Sequence, residues 1–185
     1  MAMDLRSTVL TALALPLCTV SAQAAQLDFK GVAFGSSEET LRAALSEAEF
    51  RCYESGSSPS ERTCSMSGLT YAGEPTRGTS YATFDASGLQ QVLVSLHAQF
   101  HANTLAALRA KFGPPSATRS VPKVTKAGLR YTQQVCEWKT SGGGRLAISL
   151  YGEPVGEAYV TLSSPANERE LARARASKPR AKSDL

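Results

Sequence analysis

Two histidines and one cysteine are the side chains of this chain best suited to catalysis. His97 and His101 are four residues apart, a spacing that would suit a metal ion if both lay on one helix. The local pattern instead predicts that they straddle the end of a strand and the start of a helix. No cysteine or acidic residue lies close enough in sequence to complete a ligand set. We therefore predict two surface histidines, with no metal and no cofactor.

Nucleophilic and redox chemistry have little support in the sequence. The chain has no G-x-S-x-G motif and no C-x-x-C motif. Glu38 and Glu39 are adjacent at a helix start, so their carboxylates point in different directions instead of flanking one substrate. Cys136 stands two residues before Trp138 in a predicted strand, which favours a buried thiol. We predict a protein that is not an enzyme. The alternative is a small hydrolase or redox protein that uses His97 or Cys136.

Cys52 and Cys64 are predicted to form a disulfide. They bound the polar stretch "CYESGSSPSERTC", and a bond between them would staple it as a loop. Cys18 lies in a predicted signal peptide, so Cys136 is left without a partner. The number of cysteines in the mature chain is therefore odd, and exchange of Cys136 into the other pair stays open.

The stretch "FKGVAFGSSEETLRAAL" raises the question of a ligand-binding loop. Ser36 and Glu39 have the S-x-x-E spacing of a capping box, in which each side chain bonds the backbone N–H of the other residue. Leu41 and Leu45 begin an apolar helical stripe directly after it. A phosphate loop would need a later Gly-Lys, and two acidic side chains would repel a phosphate. The stretch therefore predicts a helix start.

The first 24 residues have the composition of a secretory signal peptide. A charged start is followed by an apolar run over residues 9–17 and by a small-x-small site formed by Ala22 and Ala24. This run is too short and too often interrupted to predict a membrane span. A lipoprotein signal acylated at Cys18 is the alternative, but Leu17 stands where such signals have a small residue. We predict an exported chain, periplasmic or secreted, that begins near residue 25.

Two segments hold most of the excess positive charge in a chain whose formal net charge is +4. The first, "PPSATRSVPKVTKAGLR", predicts an exposed basic loop with the cations Arg119, Lys123, Lys126 and Arg130. The second, residues 167–185, predicts a disordered basic tail. Each is either a solvated connector or a contact site for an acidic protein, an anionic lipid or a cell-wall polymer. Export and the scarcity of interleaved aromatic residues argue against nucleic acid.

Residues 25–166 are predicted to form a single α+β domain. Helices are expected near residues 38–48 and 103–112, the second with Asn103 as N-cap and Gly113 as its stop. Each helix is followed by stretches typical of antiparallel strands. After the first come "TSYATFD" and "LQQVLVSLHAQF", the latter with alternating apolar residues from Val92 to Phe100, and after the second come "LRYTQQVCEWK", "RLAISLY" and "AYVTLSS". We predict two helices packed on one face of an antiparallel sheet, with a possible duplicated α-β-β unit.

Two local phrases resemble known bacterial families. "GVAFGSSEETLRAAL" resembles the helix opening of small secreted α/β modules. "LRAKFGPP" is similar to the helix end of SmpA/OmlA-type (BamE-like) outer-membrane assembly lipoproteins and of tandem modules like the β-lactamase inhibitor protein. The resemblance implies paired helix-plus-sheet units that act by presenting a surface to another protein. The chain departs from the lipoproteins at its signal, which has no good lipid-attachment site.

These observations favour an exported, non-catalytic module of the cell envelope that binds an envelope or secreted protein. The binding surface would be the sheet face or its loops. The candidate contact residues are Tyr81, Trp138, Arg145 and Tyr151. The alternative to a protein partner is a polyanion or membrane surface bound through the basic loop and tail.

Overall fold

The computed structural model describes residues 27–54, 61–151 and 156–177. The predicted signal peptide and residues 178–185 of the predicted tail lie outside the described residues. Within the described ranges, none of the helices is both long enough and apolar enough to cross a bilayer.

Three α-helices and twelve strands make up the described chain. The helices are α1 (Glu38–Ala44), α2 (His101–Phe112), which a 3₁₀ turn (Ala98–Phe100) precedes, and α3 (Pro165–Ser177). The first strands are β1 (Asp28–Phe29), β2 (Val32–Ala33), β3 (Glu49–Glu54), β4 (Arg62–Ser67), β5 (Thr70–Tyr71) and β6 (Glu74–Pro75). The others are β7 (Ser80–Asp85), β8 (Gly88–His97), β9 (Ala117–Val124), β10 (Arg130–Lys139), β11 (Arg145–Leu150) and β12 (Glu157–Ser163).

Eight of these strands form one antiparallel sheet in the order β3-β4-β7-β8-β12-β11-β10-β9. The chain thus builds one half as β3, β4, β7 and β8 and the other as β9 to β12, and the last strands of the two halves pair at the centre. β1–β2 and β5–β6 are separate two-stranded hairpins. The predicted α+β class with an antiparallel sheet is confirmed.

One face of the sheet, the apolar face, carries a continuous row of buried or half-buried side chains. Direct cross-strand neighbours in this row are Cys52, Cys64, Ala82, Val92, Leu162, Leu146 and Trp138. Leu41 of α1 and Leu108 of α2 belong to the same core cluster as these residues. The predicted alternation along β8 is confirmed for Val92, Val94 and Leu96, which are all fully buried, although Ser95 between them is buried as well. The predicted strand was too long, since residues 98–100 form the 3₁₀ turn.

The start of α1 differs from the predicted capping box by one residue. Ser37 is the N-cap, and its Oγ accepts a hydrogen bond from the backbone N–H of Thr40 at 3.3 Å. The two residues before it make backbone bonds to the β7–β8 hairpin: Gly35 N–H donates to Leu89 O at 2.9 Å, and Leu89 N–H donates to Ser36 O at 2.8 Å. The stretch that suggested a ligand loop is therefore a helix start joined to a neighbouring turn.

α2 begins at His101, two residues before the predicted N-cap. The 3₁₀ turn leads directly into the helix, so Asn103 lies inside it, and its Nδ2 donates to Glu74 Oε1 at 2.9 Å. The predicted stop is confirmed, because Gly113 has a φ of 77° and follows the last helical residue. Its N–H donates to Arg109 O at 2.9 Å.

The stretch predicted as a polar loop between the cysteines is largely a strand pair. Cys52 of β3 lies directly opposite Cys64 of β4, and their sulfurs are 2.02 Å apart. The predicted disulfide is confirmed. The loop prediction was too long because β3 and β4 are rich in serine, threonine and charged residues, which gave no strand signal. Residues 55–60 between them lie outside the described residues.

The predicted basic loop is a hairpin instead of a loop. Arg119 and Lys123 lie in β9, Lys126 lies in the turn, and Arg130 is the first residue of β10. β9 has almost no buried side chain, so it lacks the apolar alternation that reveals a strand in sequence. Backbone pairing with β10 over eight residue pairs holds β9 in the sheet.

Residues 167–177, predicted as the start of a disordered tail, lie in α3. Ser164 Oγ accepts from the N–H of Asn167 at 3.0 Å, which satisfies a free donor at the helix start. Asn167 Nδ2 in turn donates to Ser163 Oγ at 2.8 Å. α3 has no buried residue, and this absence of an apolar stripe explains why the helix was not predicted.

Candidate protein-interaction face

The sheet face opposite the apolar row is called here the polar face. From β3 to β10 it carries a second row of direct cross-strand neighbours, Arg51, Ser65, Tyr81, Leu93, Thr161, Ala147 and Glu137. Side chains alternate along a strand, so this row and the residues two positions away in each strand point away from the core. With strands about 4.8 Å apart, the row is roughly 29 Å long.

Tyr81 is the main exposed aromatic side chain near the middle of the polar face. It is 38% exposed and lies directly opposite Leu93 of β8 and Ser65 of β4. Tyr53 of β3 shares the face nearer the edge of the sheet and is 52% exposed. Tyr53 was not among the predicted contact residues, because β3 has no apolar alternation that would identify it as a strand. An exposed tyrosine offers a large apolar area and one hydroxyl, which is the composition of many binding hot spots.

A charged cluster lies at the other end of this face. Glu137 Oε1 accepts from Arg145 Nη2 at 2.8 Å and from Arg119 Nη2 at 2.7 Å. Partial burial alone would raise the pKa of the Glu137 carboxyl, but hydrogen bonds from Arg145 and Arg119 outweigh it, so this pKa lies below its ordinary value. Glu137 is therefore ionised at neutral pH and binds both arginines.

The start of α3 borders the polar face. Arg145 Nη1 lies 3.9 Å from Glu168 Oε1, and Asn167 binds Ser163, a residue of the same face. Ser164 Oγ donates to Gln90 Oε1 of β8. These contacts tie the helix to the centre of the sheet and limit how far the free part of the polar face extends.

Tyr159 lies on the polar face beside the central strand pair. Its hydroxyl donates to Glu157 Oε2. Burial, the hydrogen bond to Glu157 and the charge of that carboxylate raise the pKa of Tyr159 to about 12. The phenol is thus neutral throughout the physiological range and acts as a hydrogen-bond donor.

Two of the four predicted contact residues share the polar face, and two do not. Tyr81 and Arg145 both lie on it. Trp138 lies on the apolar face, where its Nε1 donates to Gly113 O at 2.9 Å and the side chain is buried. Tyr151 follows the end of β11 with a φ of 60° and is half-buried. Trp138 is therefore not part of the polar face. Its hydrogen bond joins β10 to the end of α2.

The residues considered for catalysis do not come together. His97 is exposed as predicted and ends β8 on the polar side, opposite Glu157, where its ring meets Phe100 edge to face at 6.0 Å. The prediction of a surface residue was wrong for His101, which is buried at the start of α2. Cys136 lies on the apolar face of β10, where it is buried and 3.7 Å from Thr118 Oγ1. Strands β8 and β10 are not neighbours in the sheet. A cysteine–histidine pair of the kind that activates a thiolate is therefore not formed by these two residues.

One group of potential metal ligands occurs among the described residues close to the disulfide. Side-chain ligand atoms of Glu38, Cys52 and Cys64 lie within 4.8 Å of one another. The two sulfurs are bonded to each other, so neither is a thiolate ligand. Glu38 also pairs with Arg42 at 2.8 Å and with Arg62 at 3.4 Å. The group is therefore a disulfide with an ion-pair network of Glu38 and two arginines next to it.

Two clefts open on other parts of the surface. A cleft of about 360 Å³ lies between the two short hairpins and α2, with Asp28, Lys30, Tyr71 and Lys111 among its lining residues. Burial raises the pKa of the Tyr71 phenol, and the nearby charge of Asp28 adds to this effect. A second cleft of about 470 Å³ lies between α3 and the ends of β7 and β8.

Comparison of the chain with protein-family models, with curated proteins and with solved structures finds no match.

Proposed function

We propose that this protein is an exported, non-catalytic interaction module of the cell envelope that binds another protein through the polar face of its sheet. The observation that carries the proposal is the row from Arg51 to Glu137, which crosses seven strands with Tyr81 exposed near its middle. The row is about 29 Å long, and its exposed members, Arg51 and Tyr81, lie in the half formed by β3, β4, β7 and β8, whereas Ala147 in the other half is buried.

The proposed architecture is a tandem one in which α1 and α2 cover the apolar face. In α1, Arg42 Nη2 lies 3.0 Å from Cys52 Sγ, and its guanidinium lies 4.9 Å from the centre of the Phe50 ring. At the end of α2, Gly113 accepts the bond from Trp138. Each helix is followed by four strands of the large sheet. This repeated order supports the resemblance to tandem modules, with four strands per unit instead of the two in the predicted α-β-β unit.

Export is proposed from the sequence and supported by the disulfide. The bond between Cys52 and Cys64 fits an oxidising compartment such as the periplasm or the extracellular space. Residues 1–24 carry the signal-peptide pattern. An envelope or secreted protein is accordingly the expected partner.

Affinity capture from envelope extract, with the mature chain from residue 25 as bait, tests the proposal. Tyr81→Ala and Tyr53→Ala each remove an exposed ring from the polar face. Arg109→Ala is the control, because Arg109 is an exposed residue of α2. We expect a stoichiometric protein that the control retains and the two tyrosine variants lose by tenfold or more, as for hot-spot truncations. A partner that every variant captures equally well contradicts the proposal.

The same assay separates an enzyme from an interaction module. His97→Ala and Cys136→Ala should retain partner capture. His97 ends β8 four residues beyond Leu93, roughly 13 Å along the strand from the row, and Cys136 is buried on the apolar face. A catalytic activity detected in the wild type and abolished by either change, in a folded variant, would favour the enzymatic alternative.

A further inference from the structure

The hairpin formed by β9 and β10 extends beyond the rest of the sheet. β10 pairs with β11 only from Gln134 to Lys139, whereas it pairs with β9 from Arg130 to Glu137. Residues 121–133, called here the hairpin arm, therefore have only each other as strand partners. Four residue pairs beyond the sheet correspond to an arm of roughly 13 Å before the turn.

The tip of the arm presents two apolar side chains to solvent. Val124 is 57% exposed and Leu129 is 56% exposed. Hydrogen bonds define the turn between them: Thr125 N–H donates to Leu129 O at 2.9 Å, and Leu129 N–H donates to Thr125 Oγ1 at 3.1 Å. The turn thus holds both apolar groups at the end of a projecting ribbon, where neither belongs to the core cluster.

Three cations flank this apolar tip, one on each face of the ribbon and one in the turn. Lys123 pairs with Tyr131 on one face of the ribbon, Arg130 pairs with Val124 on the other face, and Lys126 lies in the turn. The arm has no acidic residue. The nearest one in sequence, Glu137, is already bound by Arg119 and Arg145.

We propose that the hairpin arm inserts tip-first into the headgroup layer of a bilayer that contains anionic phospholipid. A soluble polyanion or an acidic protein surface would contact one face of the ribbon, and it would leave the cations of the other face unused. A headgroup layer surrounds an inserted tip, so it meets all three cations at once. Val124 and Leu129 reach the acyl boundary, and Tyr131 lies at the level that tyrosine favours in membranes.

This surface is separate from the polar-face residues Tyr81 and Tyr53, so the two proposals can fail independently. Arg119, at the base of the arm, links it to the charged cluster on the sheet. A protein that binds a membrane with the arm and a partner with the sheet would hold that partner near the membrane surface.

Flotation of the mature chain with vesicles tests the proposal. The probes are vesicles of phosphatidylcholine alone and vesicles with one third phosphatidylglycerol, at low salt and at physiological salt. We expect binding only to the anionic vesicles, weakened by salt. Each lysine or arginine near an anionic surface strengthens binding about fivefold. Joint Lys123→Gln, Lys126→Gln and Arg130→Gln changes should therefore reduce it about 100-fold.

A matched control removes the same charge elsewhere. Arg169→Gln, Arg173→Gln and Arg175→Gln change three exposed cations of α3, and binding should fall by less than tenfold. Loss of binding in this control equal to the loss in the arm variant overturns the proposal. Absence of binding to anionic vesicles at low salt also overturns it.

The apolar tip distinguishes insertion from surface attraction. Val124→Thr with Leu129→Thr keeps every charge and should reduce vesicle binding at least tenfold. The same change should leave binding to soluble heparin unaffected. If vesicle binding survives this change, or if heparin binds the wild type as tightly as vesicles do, the arm is a polyanion-binding element and the proposal is wrong. Circular dichroism of each variant confirms that it is folded.

Discussion

Arg145 Nη2 lies 2.8 Å from Glu137 Oε1 across the β10–β11 pair, on the polar face of the sheet. Arg119 binds the same oxygen at 2.7 Å from the edge strand β9. The two arginines differ in exposure, since the side chain of Arg145 is 22% exposed and that of Arg119 is 56% exposed. Arg145 also approaches Glu168 of α3, so it connects the sheet to the last helix.

Arg145→Ala and Arg119→Ala should therefore have different effects on stability. We expect Arg145→Ala to lower the free energy of unfolding by about 1–2 kcal/mol, because it leaves a partly buried carboxylate with one partner fewer. Arg119→Ala should cost less than about 0.5 kcal/mol, as is usual for an exposed ion pair. Urea denaturation of both variants measures the difference. Equal losses would mean that the shared acceptor, and not the exposure of each arginine, determines the cost.

Gly88 is expected to be one of the least replaceable residues of the fold. A Cβ at this position would lie 2.2 Å from Gly35 O, and its φ is 96°. Gly88→Ala should destabilise the protein by about 3 kcal/mol or more, because backbone atoms must move and a left-handed conformation is strained. Gly73→Ala is the control: its φ is 84° but no atom lies within 4 Å of the added Cβ.

Thermal unfolding of the two glycine variants separates strain from collision. Gly73→Ala should cost about 1 kcal/mol, the usual penalty for a left-handed alanine. If both variants lose the same stability, the contact between the start of α1 and the β7–β8 turn does not constrain the fold as argued.

The disulfide should contribute substantially to stability. Joint Cys52→Ala and Cys64→Ala changes open a link with a sequence separation of 12 residues. The chain-entropy account predicts a loss of about 3 kcal/mol. Urea denaturation without reductant measures it. Reduction of the wild type should cause a similar loss. Cys136→Ala should leave the effect of reductant unchanged, because the Cys136 thiol is free within the part of the chain that the structure describes.

His101 should make stability depend on pH near neutrality. Its ring is buried, its Nε2 has no hydrogen-bond partner among the described residues, and burial lowers its pKa below the ordinary value. The unfolded chain therefore takes up a proton below about pH 6.5, before the folded protein does. The free energy of unfolding is therefore not reduced by His101 above that pH, and it decreases as the pH falls from 7 towards 5.

His101→Leu tests this dependence because it removes the titrating group and leaves no unsatisfied ring nitrogen. The slope of stability against pH between 7 and 5 should become flatter in this variant and persist in His97→Gln, which changes an exposed histidine. Measurements stop at pH 5, because carboxylates such as Glu137 begin to lose their stabilising contribution below it. If the slope is unchanged in His101→Leu, groups other than His101 cause the dependence of stability on pH.

The parts of the fold that were predicted from sequence are those with a local signal. The alternation along β8, the glycine stop of α2 and the turn-bounded strands β7, β11 and β12 depend on residues close in sequence. β3, β4 and β9 were missed because their side chains are mostly polar or exposed. α3 was missed for the same reason, since its fixed start depends on Ser163 and Ser164 instead of an apolar stripe.

The candidate site depended on the register of distant strands, which no local pattern contains. Tyr81 and Arg145 share a face only because β8 pairs with β12 at the centre of the sheet. Trp138 is one residue from Glu137, yet this single step moves it to the apolar face. The contact residues were predicted from their residue types alone, so the prediction mixed residues of the two faces.

Site-specific photo-crosslinking from position 81 tests the central proposal, binding of a protein through the polar face, most directly. A photoreactive phenylalanine analogue replaces Tyr81 in the full chain, expressed in cells with an intact envelope. A second variant carries it at Ala43, an exposed residue of α1. We expect one crosslinked protein partner from position 81 and none from position 43. Crosslinks from position 43 alone, or from neither position, would contradict the proposal that the polar face recognises a protein.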